Sequence, residues 1–201
     1  MDNLKTGDLI LFCSNNNTGF MGLFSSLIKY GSHSNYTHIG MIIKDPTFLN
    51  QSLKGLYVWE SGYEGQPDPQ DNLIKLGVQI TPLYEMMNNY KNSKIIVRKL
   101  KTSEQKFDDE ILSKIHSIVH NKPYDTNLLD WVQALIGYDF NPQKTSRFWC
   151  SAFVGYLYTT AGILKNNTDW SILSPSDFSL EAENLEYQDG CSLDKTITQI
   201  N

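Results

Sequence analysis

The chain has 201 residues, with a hydrophobic fraction of 40% and an aromatic fraction of 12%, ample for one globular domain with a sizeable core. Its formal net charge of −5 and the absence of a Lys/Arg stripe exclude the electrostatic footprint of a nucleic-acid binder. Cys13, Cys150 and Cys191 are few, odd in number and widely spaced, which excludes a disulfide framework or a CxxC metal site and suits a reducing compartment. The first residues lack the apolar stretch of a signal peptide, so the expected location is the cytoplasm. No run approaches the ~18 apolar residues of a membrane span, so no transmembrane segment is expected.

Asp8-Leu9-Ile10-Leu11-Phe12 is a short apolar run after Gly7 and predicts a buried strand. Phe20, Leu23, Phe24, Leu27 and Ile28 fall on one face of a short amphipathic helix, which leaves room for peripheral membrane contact. Its polar face lacks the run of Lys and Arg that such contact favours. His38–Ile43, Leu56–Glu60, Val78–Thr81 and Lys94–Arg98 predict four more strands. The third of these alternates apolar and polar residues like a half-buried strand. The Tyr63–Asn72 stretch, with Gly65, Pro67 and Pro69, predicts an irregular loop.

The second half changes character. Thr102 and Gln105 have capping-box spacing, and Phe107, Ile111, Ile115 and Ile118 predict a helix ending near His120, before Pro123. Leu128, Trp131, Val132 and Leu135 suggest another. Phe153, Val154, Leu157, Tyr158 and Ala161 place a third directly after Cys150. Ser174-Pro175-Ser176-Asp177 is a turn or helix cap. One domain is expected over residues 1–201: strand-rich 7–100, helical 102–180, and a polar tail 181–201. Strands first and helices second mean an α+β fold with an antiparallel sheet or partial barrel.

Cys150 would stand at a helix N-terminus, where unpaired N–H groups and the macrodipole favour a thiolate. The same segment reads equally well as a small buried hydrophobe that starts a helix. A nucleophilic cysteine needs a base, and the base an orienting group. His116 and His120 have the i, i+4 spacing of a metal pair, but His-Ser-Ile-Val-His lacks the Glu of the zincin pattern, so solvated helix-face residues are expected and no metal. His33 is expected on a loop surface. His38 opens an apolar strand, where its ring can face a helix packed at the sheet's mouth; the alternative is a histidine satisfied by backbone. Glu60 ends the next strand, within a neighbour's reach of His38, or is a plain strand-end carboxylate.

These pieces together resemble the NlpC/P60 superfamily of papain-like cysteine enzymes in permuted order. The residues concerned are Gly7-Asp8-Leu9, His38-Ile39-Gly40-Met41-Ile42, Gly77–Leu83, Asn121-Lys122-Pro123-Tyr124-Asp125, Cys150-Ser151-Ala152-Phe153-Val154 and Ser174–Phe178. The order is similar to the permuted branch that contains the YiiX/YaeF-like amidases and the poxvirus G6-like proteins. The resemblance covers most of residues 6–180. Phe148-Trp149 stand where the unpermuted family has Asp before the cysteine.

The resemblance implies a circularly permuted papain-like fold with its sheet packed on the nucleophile helix. It implies Cys150 as nucleophile, His38 as base and Glu60 as the third polar residue. Tyr124 is a supporting or substrate-binding residue on this view, or an aromatic packed on the sheet. The implied reaction is cleavage of an amide through a cysteine acyl-enzyme, with no metal and no organic cofactor. A lipid-directed acyl hydrolase or acyltransferase, as in the related lecithin:retinol acyltransferase-like branch, is the second reading. A non-catalytic binding module that retains the fold is the third. Partners are then a peptide-like or lipid acyl substrate, and a viral source would place the chain in the host cytoplasm or virion.

Overall fold

The computed structural model describes residues 3–13, 36–126 and 144–200. The expected helices over 20–28 and 128–135, and His33, lie outside the described residues.

Six strands form one open antiparallel sheet: β1 (Leu9–Cys13), β2 (His38–Lys44), β3 (Leu56–Gly62), β4 (Gly77–Pro82), β5 (Lys94–Thr102) and β6 (Cys191–Gln199). Their order is β4-β3-β2-β1-β5-β6. Among the described residues three α-helices accompany it: α1 (Leu83–Asn89), α2 (Asp109–Val119) and α3 (Cys150–Thr160). The fold is α+β, as the strand-then-helix order predicts.

Strand alternation sends Leu9, Leu11, Ile39, Met41 and Trp59 to the face that carries α2 and α3. It sends Ile10, Phe12, Ile42, Val58 and Val97 to the opposite face, under Leu83 and Met86 of α1. Both faces of the central strands are covered, which explains why β1 and β2 are apolar runs rather than alternating ones. The Asp8 carboxylate accepts from Lys5 N and Leu100 N, each at 3.0 Å, and so fastens the start of β1 to β5. The Tyr158 hydroxyl donates to the Gly7 carbonyl and ties α3 to the same corner.

Helix α3 is buried all round from Cys150 to Tyr158, not on one face. Gly155 makes this possible: a Cβ there would meet Leu173 Cδ1 and Trp170 Cβ, both at 2.8 Å. The Trp149 indole and the Ser151 hydroxyl both donate to the Leu173 carbonyl, at 3.1 and 2.6 Å, and fix the helix entrance.

Three local expectations are corrected. The polar tail beyond residue 181 contains β6, which pairs with β5. Thr102 does not cap α2; it ends β5, and Asp108 caps the helix by accepting from Ile111 N at 2.9 Å. Strand β4 is not half-buried, since Gln79 and Thr81 are as buried as Val78 and Ile80. The Ser174 turn does carry a capping box, closed by Asp177.

Candidate active site

The site forms at the end of the sheet where β1 ends, β2 begins, β3 ends and β4 begins. Phe12 pairs with His38, and Glu60 pairs with Gln79. The β2–β3 register sets Met41 opposite Trp59. Three residues further along, it brings His38 opposite Gly62. Two glycines permit this closeness. A Cβ on Gly40 would meet Val58 Cγ1 at 2.4 Å, and one on Gly62 would meet Glu60 Oε2 at 3.1 Å and His38 Cε1 at 3.2 Å.

His38 and Glu60 are both buried, and His38 Nε2 is hydrogen-bonded to Glu60 Oε2. The other Glu60 oxygen accepts from the Thr81 hydroxyl at 3.0 Å. The Cys150 side chain interacts with the same His38 ring. Burial alone would push the His38 pKa down. The Glu60 carboxylate, then the Cys150 side chain, outweigh burial and hold it well above the ordinary 6.5.

Cys150 is buried and is the first residue of α3. Trp149, the residue before the first turn, provides no side-chain cap, and that turn carries no acid. The helix start therefore presents backbone N–H groups and the positive end of its dipole.

Tyr124 comes to the same place through two bridges, Gly77 with Pro123 and Tyr124 with Phe148. The Ser61 hydroxyl donates to the Phe148 carbonyl at 2.7 Å and pins this segment to the end of β3. Tyr124 stands beside Cys150. Burial first, then the Cys150 sulfur, hold its pKa well above the usual tyrosine value, so it is a committed donor. The four residues singled out in the sequence, Cys150, His38, Glu60 and Tyr124, are thus brought together. Thr81, Glu64 and Tyr90 also face this cluster and were not singled out. A threonine two residues after Gln79 in a polar alternation was the one available signal.

The remaining pair, His116 and His120, is elsewhere, and both residues are half-buried. The two rings lie 4.6 Å apart, and His116 packs against Trp59 and Phe48. His116 Nε2–H donates to Gln70 Oε1 at 2.7 Å, clasping the 63–76 loop to α2. Burial, then His120, push the His116 pKa down to about 4. An unfolded histidine takes up a proton near 6.5, so the folded state loses stability as pH falls from about 6.5 toward 4. Discounted for partial exposure, the loss is about 1–2 kcal/mol. Urea unfolding across that range should show this slope in the wild type and a flatter one in His116→Phe; equal slopes would remove the assignment.

No family model matches the sequence, and no curated protein matches it. Among solved structures the chain is similar to the metalloprotein yiiX from Escherichia coli O157:H7. The TM-score is 0.50 and the identity 22%, over 78% of this chain and 66% of that one. The likeness is one of fold, and the chain spans just under two thirds of the YiiX length. No helix among the described residues is long and apolar enough to cross a membrane.

One group among the described residues has the donor types of a metal centre: His38, Glu60 and Glu64, with donor atoms all within 4.8 Å of one another. Metal ligands are deprotonated and converge on a common point. Here His38 Nε2 and Glu60 Oε2 are turned on each other. Glu64 accepts from Asn89 Nδ2 at 2.8 Å, and burial, then Glu60, push its pKa up to about 8. As they stand, His38 and Glu60 are hydrogen-bonded to each other, and the three donor types are ones that a metal could take.

Proposed function

We propose that the chain is a thiol hydrolase that cleaves an amide through a cysteine acyl-enzyme. Cys150 is the nucleophile, His38 the base and Glu60 the acid that orients it. The observation that carries this reading is a buried imidazole hydrogen-bonded to Glu60 and interacting with Cys150, which stands at a helix start. A protonated imidazole beside a sulfur favours the charged nucleophile, and His38 is held protonated.

In the proposed sequence the sulfur attacks the carbonyl carbon while the thiol proton resides on His38. The oxyanion is met by the first N–H groups of α3 and by the Tyr124 hydroxyl; such a donor is worth about 3 kcal/mol of barrier. The C–N bond breaks, and His38 gives its proton to the leaving amine. Water then attacks the thioester with His38 as base, releasing the acid and restoring the thiol. Glu60 keeps the ring's tautomer and stabilises its positive form. The reading includes a cytoplasmic location, supported by three cysteines none of which is bridged.

Competitive alkylation at pH 6 tests it. An ordinary thiol is mostly protonated there, so Cys150 should label roughly tenfold or more faster than Cys13 and Cys191 with iodoacetamide. His38→Ala should remove the advantage, and Cys150→Ala should abolish hydrolysis. Equal labelling of all three cysteines would sink the reading. A lipid acyl substrate is the second reading, favoured by exposed Leu73, Ile74 and Tyr84 beside the β4 edge. Acyl-ester and acyl-amide substrates in the same assay separate the two.

A further inference from the structure

Glu64 has no part in the acyl-enzyme sequence, yet it belongs to the same place. It lies two residues beyond the end of β3, and one of its oxygens, one oxygen of Glu60 and a ring nitrogen of His38 all lie within 4.8 Å of one another. Gly62 stands midway between the two acids. A Cβ there would crowd both Glu60 Oε2 and His38 Cε1, at 3.1 and 3.2 Å, so its absence leaves the chain free to turn back toward the pair. Each carboxylate is also steadied by a donor of its own. The Thr81 hydroxyl donates to Glu60 Oε1 at 3.0 Å, and Asn89 Nδ2, from the last residue of α1, donates to Glu64 Oε2 at 2.8 Å. Donors of this kind orient the carboxylates that hold metal ions. His38 and Glu60 are buried and Glu64 is half-buried, so Glu64 marks the side from which an ion would enter.

An imidazole with two carboxylates is a donor set for a divalent first-row transition metal, whereas magnesium and calcium take oxygen donors. Ligand atoms on one tetrahedral zinc ion stand about 3.4 Å apart, so side-chain shifts of about an ångström would bring all three donors onto one ion. The ion would also match the negative charge that two acids bring to one spot.

We propose that His38, Glu60 and Glu64 form a reversible site for a divalent transition metal such as Zn²⁺, and that the bound ion holds the hydrolase site inactive. The inhibition rests on the hydrolase reading above; the metal binding does not. Binding sends the proton shared by His38 and Glu60, and any on Glu64, to solvent. A ring nitrogen of His38 then holds the metal, and Glu60 no longer orients the ring, so the imidazole does not take the Cys150 proton. Removal of the ion restores the resting pair.

The test is a zinc titration of the full chain against a chromophoric chelator, with Co²⁺ absorption as a second readout. The wild type should take up one Zn²⁺, and excess Mg²⁺ or Ca²⁺ should not displace it. Glu64→Gln should weaken binding by about 100-fold or more, because losing a ligand costs more than the roughly 10- to 100-fold of losing an outer donor. Asn89→Ala removes such a donor and should weaken binding about tenfold; it carries the test if Glu64→Gln does not fold. Cys150→Ala should bind as the wild type does, and the Co²⁺ complex should show no thiolate charge-transfer band.

Absence of one-to-one binding, displacement by Mg²⁺ or Ca²⁺, unchanged affinity in the Glu64 or Asn89 variant, or binding lost in Cys150→Ala each overturns the proposal. Zn²⁺ should also stop amide hydrolysis and EDTA restore it, and undiminished hydrolysis by the zinc-loaded chain overturns the inhibition. A chain that binds zinc in this pattern and hydrolyses nothing loses the hydrolase reading and keeps the metal site. A chain that hydrolyses and binds no zinc does the reverse.

Discussion

Glu60→Ala is expected to lower folding stability by about 3–5 kcal/mol, because it strands a buried imidazole that was paired. The same change should cut amide hydrolysis by on the order of 10³-fold, within the usual range for losing positioned acid–base catalysis. Glu60→Gln separates the two effects. It keeps the shape and an acceptor for His38, but not the charge. The His38 pKa is raised in the folded state, so its contribution is complete below the unfolded value of 6.5 and is lost as pH rises through the folded value. The stability gap between wild type and Glu60→Gln should therefore be widest in mild acid and close in alkali. Urea midpoints across pH measure this, and a gap independent of pH would mean that the carboxylate does not hold the imidazolium.

Gly77→Ala is expected to destabilise by about 2–4 kcal/mol through backbone strain and a backbone clash. Gly77 has φ +151, and a Cβ there would lie 2.3 Å from the Lys122 carbonyl oxygen and 2.8 Å from Pro123 Cα. Neither neighbour is a flexible side chain, so β4 must part from the segment that carries Tyr124. Hydrolysis should fall further than stability alone explains, in step with Tyr124→Phe. Gly55→Ala is the control. It sits at φ +99 with nothing within 4 Å of its added Cβ, so it should cost about 1 kcal/mol and leave activity unchanged. If Gly77→Ala and Gly55→Ala behave alike, the close approach at Gly77 does not position Tyr124.

The strands that build the site were legible because they are covered on both faces. Burial on two sides makes Leu9–Phe12 and Ile39–Ile43 continuous apolar runs, and such runs are the strongest local signal a strand gives. Strand β6 was missed for the converse reason. It is an edge strand whose residues from Asp194 onward face outward, so its sequence is polar and resembles a tail. Helix α1 was missed because it is short and follows Pro82, with two buried side chains too few to mark a period. The Thr102–Gln105 spacing pointed to a cap, but β5 runs through Thr102, and pairing with β6 outweighs a local capping preference.

The candidate site divides along the same line. By residue type and place in the chain, the sequence alone determined a cysteine before an apolar helix, a histidine opening a strand, an acid closing the next, and a tyrosine after Pro123. Each is a local fact, set by periodicity and by breakers. Which of the 22 acids turns toward which of the four histidines is not local. It follows from the β2–β3 register, from two glycines that let the strands close, and from the bridges that carry Tyr124 to Phe148. Only the tertiary structure decided that Thr81, Glu64 and Tyr90 join the cluster and that His38 holds its proton. Both depend on burial and on charge within a few ångströms, which no spacing in the chain encodes.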